Sequence, residues 1–222
     1  ADVIVGYTGY VNIVREWLPT AEFEALPIGE EPRRARRAIE LASQGRRVAL
    51  VCSGDSGVYG MAGLVYEQLT GSEPFPVTVA GGMTAATSAA ALLGAPLMAD
   101  FVALSLSDIL TPLELIVRRL RAAAEADLVA VLYNPASSRR RDPLAQAQQI
   151  FLATRMPTTP VGLVRNAYRP DQSVRLADLA TLPIHDVDMF TTLVIGNSQT
   201  VVLGGKMIAR RRLSARSAGA DV

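Results

Sequence analysis

Residues 47–63 read RVALVCSGDSGVYGMAG, and this stretch decides the fold. Residues 48–52 form an apolar run rich in branched side chains, which predicts a strand buried on both faces of its sheet. The next five residues, 53–57, are small and include two glycines, which adopt backbone angles that other residues avoid. Residues 58–69 then carry apolar side chains at helical spacing. Strand, glycine turn and helix predict an open α/β sheet, in which ligands bind beyond the carboxyl ends of the strands.

The glycine turn, residues 53–57, has two interpretations. Gly54 and Gly57 let a ligand approach the main chain, and Asp55 can accept hydrogen bonds from hydroxyl or amino groups. A plain turn between a strand and a helix explains the same residues equally well. A Walker-type phosphate loop is excluded, because no Lys-Ser or Lys-Thr pair follows the turn.

Composition limits the class of protein. Of the 222 residues, 50% are hydrophobic and 19% are charged, as in folded proteins with one large domain or two small ones. The net charge of +1 gives no field for attracting nucleic acid, and no apolar run approaches the ~18 residues of a membrane span. Cys52 is the only cysteine, which excludes an internal disulfide and a thiolate-held metal cluster. We therefore expect a cytoplasmic protein with no protein-bound metal, no nucleic-acid partner and no membrane partner.

The basic residues are unusual in kind. Of the 22 lysines and arginines, Lys206 is the only lysine. Arginine forms bidentate pairs with carboxylates, so a polycarboxylate ligand would suit this chain. A genome that favours arginine codons explains the bias equally well. His185, the only histidine, lies in a polar loop sequence, so histidine-based catalysis is set aside.

Strands and helices alternate along the rest of the chain, which predicts a mostly parallel α/β fold. A second strand–glycine–helix unit comprises a strand at 77–79, the residues AGGMT at 80–84 and a helix of small residues at 85–93. Thr84 lies where its hydroxyl would cap that helix. We place a boundary between domains 1–98 and 99–222. Further strands are predicted at 2–5, 102–104, 128–133, 161–164 and 192–195, further helices at 33–44, from 112 onward and at 143–155, and irregular structure at 19–32.

Five stretches together resemble the tetrapyrrole methylases that use S-adenosyl-L-methionine. The glycine turn alone indicates only the superfamily, whereas the motifs SLSD-x-LTP, LYNP and GNSQT are much more specific. The likeness covers nearly the whole chain and is closest to the precorrin-3B C(17)-methyltransferases of cobalamin biosynthesis and their cobalt-inserted counterparts. The stretches are SGDSGVYGMA (53–62), MTAATSAAALLGAPL (83–97), DFVALSLSDILTPLELI (100–116), VLYNPASSRR (131–140) and VDMFTTLVIGNSQT (187–200).

The resemblance implies a two-lobed α/β fold, with a mostly parallel sheet in the first lobe, a mixed sheet in the second and a cleft between the lobes. It implies S-adenosyl-L-methionine as methyl donor, S-adenosyl-L-homocysteine as product, a tetrapyrrole polycarboxylate substrate and a homodimer. The implied reaction methylates C-17 of precorrin-3B, with ring contraction to precorrin-4. Cobalt-factor III, or another corrin-ring carbon, is the alternative. Carried over position by position, the donor contacts are Ser53, Gly54, Asp55, Val58, Thr84, Ala85, Asn134 and Ala167.

Ring contraction needs proton transfer, and hence a positioned acid or base. With histidine set aside, we predict that Asp108, Ser105 and Ser107 serve this step, with Tyr7 as a donor near the macrocycle. Capping of the helix that follows explains Asp108 equally well. For the carboxylates of the substrate, bidentate pairing favours arginines such as Arg139, Arg140 and Arg165.

Two features depart from the family pattern. Ser56 stands where the family usually has proline, and we expect the turn to survive with slightly less rigidity. Family members also begin with a strand and a glycine-proline-glycine loop, ahead of the region that matches residues 2–6. This chain has neither, and we expect them in the natural protein, because the first sheet would otherwise lack a central strand.

A rival from another class is a non-catalytic nucleotide-binding module of similar α/β build. The two classes differ in what the purified protein releases when it is denatured. A methylase would release S-adenosyl-L-homocysteine, whereas a regulatory module would release a nucleotide or nothing.

Overall fold

The computed structural model describes residues 1–136 and 141–210 of the chain. Contacts between Cα atoms divide the chain into two units, Ala1–Thr84 and Ala85–Val222. The predicted α/β class is confirmed, because the first unit holds a parallel sheet and the second a mixed one. Within the described residues, no helix is long and apolar enough to cross a membrane.

The first unit is built on a three-stranded parallel sheet in the order β2-β1-β3. Val3 and Val5 of the central strand are fully buried and pack with Leu26, Ala38 and Leu41. The elements of this unit are β1 (Val3–Tyr7), α1 (Thr8–Trp17), β2 (Glu22–Leu26), α2 (Glu31–Ser43), β3 (Val48–Val51) and α3 (Ala62–Tyr66).

Strand β2 lies inside the stretch that the sequence predicts as irregular. Its residues, EFEAL, carry two glutamates that hide the strand pattern. Both glutamates form ion pairs: Glu24 Oε1 lies 2.6 Å from Arg37 Nη2, and Glu22 Oε2 lies 2.6 Å from Arg46 Nη2. The strand therefore forms at a charged sheet edge rather than in the apolar setting that an alternating pattern would indicate.

Strand β3 is only partly buried, so the prediction of burial on both faces is wrong. Among the described residues β3 pairs only with β1, and its other side borders an apolar groove of about 640 Å³. The far wall of the groove includes Phe75, Val77 and Val79. The predicted strand at 77–79 is also wrong, because this segment pairs with no described strand and has no regular structure.

The helix predicted over 58–69 is much shorter than expected and spans only Ala62–Tyr66. The preceding residues stay in a turn, where Tyr59 has a left-handed φ of 53°. Gly60 sits so close to the main chain of Ser56 that a Cβ there would lie 2.6 Å from the Ser56 carbonyl oxygen. This tight turn delays the start of the helix.

The second unit is built on a five-stranded mixed sheet in the order β5-β6-β9-β7-β8. Strands β5 and β6 are parallel, and β9 is antiparallel to both β6 and β7. The elements of this unit are α4 (Ala85–Leu93), β4 (Gly94–Ala95), β5 (Phe101–Ser105), α5 (Leu113–Glu125), β6 (Val129–Tyr133), α6 (Asp142–Leu152), β7 (Pro160–Arg165), β8 (Ser173–Asp178), β9 (Thr191–Ile195), β10 (Thr200–Leu203) and β11 (Lys206–Ala209).

Two apolar clusters lie within this unit. One joins α5 and α6 to the sheet, with Ile116, Leu144 and Phe151 fully or almost fully buried. The other contains Ala89 and Leu93 of α4 together with sheet residues. Helix α4 thus packs in the second unit. For this reason the observed division, after Thr84, comes earlier in the chain than the predicted domain boundary, after residue 98.

A buried arginine also ties this unit together. Arg155 donates to the carbonyl oxygens of Gly196 and Leu128, the latter at 2.6 Å. Burial lowers the pKa of its guanidinium to about 10. The side chain therefore links the end of α6 to the start of β6 and the end of β9.

Candidate functional site

In the first unit, most of the predicted site residues lie at the carboxyl ends of two parallel strands. Gly6 of β1 is in register with Val51 of β3, so Tyr7, the last residue of β1, and Ser53, just after β3, lie at neighbouring strand ends. The Tyr7 ring meets the Tyr10 ring edge to face, with 5.2 Å between centroids. This arrangement is the one that open α/β sheets use for ligands.

Arg34 is a residue that the sequence missed at this edge. Arginines at 33, 34, 36 and 37 crowd the start of α2, a pattern typical of a solvated helix face, yet Arg34 is only 3% exposed. Its Nη2 donates to the Pro27 carbonyl oxygen at 2.7 Å, and its guanidinium carbon lies 6.0 Å from the centroid of the Tyr7 ring. The buried guanidinium therefore links α2 to the residue after β2 and lies near the Tyr7 ring. The only sequence signal of its burial is its place one helical turn before Ala38, on the apolar face of α2.

Asp55 holds two glycine segments together. Its Oδ1 accepts the Gly57 N–H at 2.7 Å, and its Oδ2 accepts the Gly82 N–H at 2.8 Å. These two backbone donors, Gly82 first, lower the pKa of the Asp55 carboxyl below its ordinary value. Because each carboxylate oxygen is bound to the main chain, Asp55 shapes the turn and is less suited to direct contact than the sequence indicated.

The two segments approach so closely that only glycine fits at one point. A Cβ on Gly82 would overlap the carbonyl oxygen of Gly54, whose own φ is a left-handed 75°. Val58 is partly exposed, and its N–H donates to the Asp55 carbonyl oxygen at 3.2 Å. The predicted donor contacts Ser53, Gly54, Asp55 and Val58 thus share one turn, and the linked segment leads directly to Thr84.

Ser56 takes part in the turn although the family usually has proline there. Its Oγ lies 3.5 Å from Cys52 Sγ, and its carbonyl oxygen accepts the Ala62 N–H at 2.9 Å. The hydroxyl thus links the turn to the end of the preceding strand.

In the second unit, a cluster of polar side chains forms where β5 and β6 end. Ser105 Oγ accepts hydrogen bonds from Asn134 Nδ2 at 3.1 Å and from the Ser107 N–H at 3.2 Å. Asn134 is exposed and has a left-handed φ of 49°. Asp108 is exposed in the same loop, just beyond these groups. The structure therefore brings together Ser105 and Ser107, predicted for proton transfer, and Asn134, predicted as a donor contact.

Ala85 and Ala167 lie against one apolar cluster, which also contains Tyr133. Ala167 follows the end of β7, and β7 runs parallel to β6 because both are antiparallel to β9. The Tyr133 hydroxyl accepts the Ala86 N–H at 2.8 Å. Tyr133 was not among the predicted site residues, and its only sequence signal was its place before Asn134 in the LYNP motif.

Of the three arginines predicted to pair with substrate carboxylates, the structure describes only Arg165. Arg165 Nε donates to Asp188 Oδ2 at 2.8 Å and stacks near the Phe190 ring. Partial burial raises the pKa of Asp188, but hydrogen bonds from Arg165 and Thr191 outweigh it and the net shift is downward. The predictions for Arg139 and Arg140 lie outside the described residues.

These groups fit an organic ligand with hydrogen-bonding and apolar parts better than a metal ion. In the first unit, the glycine turn offers exposed main chain at Gly54 and Gly57. In the second unit, Asn134 offers a carboxamide, and Ala85 and Ala167 offer apolar surface. Taken by itself, each set suits the hydrogen-bonding or aromatic groups of an organic ligand. In the part of the chain that the structure describes, no group of three His, Cys, Asp or Glu side chains is placed to hold a metal ion.

Comparison with known proteins agrees with the resemblance found in the sequence. The profile of the family described as Tetrapyrrole (Corrin/Porphyrin) Methylases matches residues 1–183. The match covers both the glycine turn and the polar cluster at the ends of β5 and β6.

Three relatives are similar over 95% of this chain. A cobalt-factor III methyltransferase of Priestia megaterium is 45% identical over 219 residues, which make up 40% of its own length. A probable cobalt-factor III C(17)-methyltransferase of Salmonella typhimurium is 42% identical over 212 residues, or 88% of its length. The crystal structure of the methyltransferase CobJ is 33% identical, with a TM-score of 0.88 and 89% of that chain covered. The chain thus spans less than half of one relative and most of the other two.

Proposed function

Because the chain belongs to the tetrapyrrole (corrin/porphyrin) methylase family, we propose that it methylates C-17 of a precorrin-3B-type macrocycle in cobalamin biosynthesis, with S-adenosyl-L-methionine as donor. The observation that carries this proposal is the similarity to C(17)-methyltransferases along nearly the whole chain. The positions of most predicted donor contacts support it, since Ser53, Gly54, Asp55 and Val58 follow β3, Asn134 follows β6 and Ala167 follows β7.

We assign donor binding to main chain and small side chains. Bound S-adenosyl-L-methionine supplies a methyl group on a sulfonium that is already a good leaving group. Gly54 and Val58 belong to the glycine turn, and Thr84 and Ala85 lie at the start of α4. Asn134 provides a carboxamide. Ala167 offers apolar surface next to the same cluster as Ala85. Methyl transfer needs little covalent help, so positioning at about 3–3.5 Å is the main task of these residues.

Proton transfer during ring contraction falls to the polar loop after β5. Ser105 Oγ already accepts two hydrogen bonds, so its hydroxyl serves as a donor to substrate rather than as a base. Asp108, exposed beyond it, is the carboxylate that can take or return a proton. Ser107 and Tyr7 complete the set as hydrogen-bond donors near the macrocycle.

Cobalt-factor III is the second candidate substrate. The names of the Priestia megaterium and Salmonella typhimurium relatives favour it over cobalt-free precorrin-3B. The carboxylates on either macrocycle would pair with arginines, and Arg165 at the end of β7 keeps part of its guanidinium exposed beside Asp188. We further propose that the protein acts in the cytoplasm as a homodimer, as the resemblance implies.

The test incubates the full-length protein with S-adenosyl-L-methionine and, in separate anaerobic reactions, precorrin-3B or cobalt-factor III. We expect one of the two to gain a methyl group, with formation of S-adenosyl-L-homocysteine, and a ¹³C-labelled donor methyl to appear at C-17 in the NMR spectrum. Protein denatured before the assay is the control. Absence of turnover on both substrates, together with release of another nucleotide from the denatured protein, would instead support the non-catalytic class.

A further inference from the structure

Tyr133 connects two parts of the second unit that are far apart in sequence. It is the last residue of the fully buried strand β6, and it is only 9% exposed. Its hydroxyl oxygen accepts the Ala86 N–H across a separation of 47 residues, at 2.8 Å in a buried setting. The contact therefore joins the end of the strand to the start of α4.

This hydrogen bond provides an acceptor for an N–H group that has no acceptor within the helix. The first N–H groups of an α-helix have no partner within the helix, and one left buried without a partner is costly. Ala86 is the second residue of α4. Tyr133, from a strand distant in sequence, thus accepts a hydrogen bond from the first turn of α4, as the side chain of an N-cap residue does in other helices.

The residues on either side of this contact are the proposed donor contacts. Ala85 directly precedes Ala86, and Asn134 directly follows Tyr133. Asn134 is held in turn by its carboxamide, which donates to Ser105 Oγ at 3.1 Å. The Tyr133 hydroxyl therefore links the segment that carries Ala85 to the segment that carries Asn134.

We propose that Tyr133 is a positioning residue for the methyl donor, acting through Ala85 and Asn134 rather than by contact with the reacting atoms. This inference rests on the proposed function. The packing of Tyr133 and Ala167 on the same apolar cluster extends the effect to the third predicted contact of this unit. Loss of the hydroxyl leaves the aromatic ring in the cluster but frees the start of α4 to shift.

The test replaces Tyr133 with phenylalanine, which removes only the hydroxyl. We expect the dissociation constants for S-adenosyl-L-methionine and S-adenosyl-L-homocysteine, measured by calorimetry, to rise about tenfold. At saturating donor we expect kcat to stay within about twofold of wild type, because the residue acts on donor binding. The Ala86 amide should exchange with solvent faster in the variant.

The matched control is Tyr66→Phe, because Tyr66 is exposed on α3 in the other unit. Binding should be measured well below the melting temperature of each variant, so that a loss of stability is not mistaken for a loss of affinity. If wild-type protein binds the donor and Tyr133→Phe binds it equally well, the positioning role is wrong while the proposed function stands. If the wild-type protein binds neither ligand, the proposed function falls, and the positioning role falls with it.

Discussion

Asp55 and Tyr133 show how a polar side chain can hold the backbone beside a proposed binding site. Each accepts hydrogen bonds from backbone N–H groups, Asp55 from Gly57 and Gly82 and Tyr133 from Ala86. A charged acceptor makes stronger hydrogen bonds than a neutral one, so Asp55 fixes its turn more firmly than a serine or asparagine would. In both cases the bonded backbone lies next to a proposed donor contact.

We predict that Asp55→Ala weakens donor binding by about tenfold or more, because residues 80–82 lose their link to the glycine turn. Calorimetric titration with S-adenosyl-L-homocysteine measures this. Exposed Glu67, also in the first unit, gives the control variant Glu67→Ala. An unchanged dissociation constant in Asp55→Ala would remove Asp55 from the site altogether.

The same residue predicts a pH dependence of stability. The backbone donors of Gly82 and Gly57 lower the pKa of Asp55. The contribution of Asp55 to the free energy of unfolding is therefore fully present above the ordinary carboxyl pKa of about 3.9. It is lost as the pH falls through the lowered value. We therefore expect the difference in urea midpoint between wild type and Asp55→Ala to persist down to about pH 4 and to shrink below it. A difference that is already gone at pH 6 would contradict the assignment.

Gly82 gives a prediction with a control at the adjacent position. A Cβ on Gly82 would overlap the Gly54 carbonyl oxygen, whereas a Cβ on Gly81 would meet nothing within 4 Å. We expect Gly82→Ala to lower the free energy of unfolding by about 1–3 kcal/mol, as overpacking does. Gly81→Ala should change it by about 0.5 kcal/mol at most. Equal effects of the two changes, measured by urea denaturation, would show that the close approach is not a constraint.

At the scale of elements, the sequence predicts the strands that have a strong apolar pattern. It misses strands that depend on ion pairs or on pairing with a distant segment. Strands β6, β7 and β9 were predicted because their residues are almost uniformly apolar. Strand β2 was missed because its glutamates, which form ion pairs, interrupt the apolar pattern. The hairpin of β10 and β11 was missed although its two-residue loop, Gly204–Gly205, is a hairpin signal. Residues 77–79 have strand-like composition but pair with no strand in the described part of the chain, which a local pattern does not reveal.

The unequal pairing of β1 and β3 predicts different rates of hydrogen exchange. Strand β1 has a neighbour on both sides, whereas β3 has one described neighbour and borders the apolar groove. Amides at an open sheet edge exchange by small local openings. We expect peptides covering 48–51 to exchange at least about tenfold faster than peptides covering 3–7, by mass spectrometry of the 222-residue chain. Equal protection would mean that another segment covers the edge of β3.

At the scale of the whole molecule, the sequence resemblance identified the family and located most of the turns that form the candidate site. It did not reveal the contacts that tie those turns to other segments, because these join residues far apart in the chain. Asp55 reaches Gly82 across 27 residues, and Tyr133 reaches Ala86 across 47. Such pairings are set by the register and packing of whole elements, which no single stretch of sequence specifies. The family motifs therefore indicate which backbone segments form the candidate site, but they do not indicate which side chains hold those segments in place.

The two units also differ in the size of their cores, and this leads to a prediction about unfolding. The first unit has one small cluster around Val3 and Val5, whereas the second has two larger clusters. Because separate cores need not unfold together, we expect calorimetry to show two thermal transitions, with the first unit melting at the lower temperature. S-adenosyl-L-homocysteine should raise the lower transition by several degrees at about 100 times its dissociation constant, since a ligand bound only to the folded state stabilises by about 2.7 kcal/mol at that concentration.

Controls for this experiment come from the ligand and from the chain. Methionine alone should leave the lower transition unchanged, and Gly82→Ala should reduce the shift, because its glycine turn is displaced. A shift confined to the upper transition would place the donor contacts in the second unit only and remove Ser53, Gly54 and Val58 from the site. A single transition for wild type would mean that the two cores unfold as one cooperative unit. In that case the lower stability assigned to the first unit is wrong.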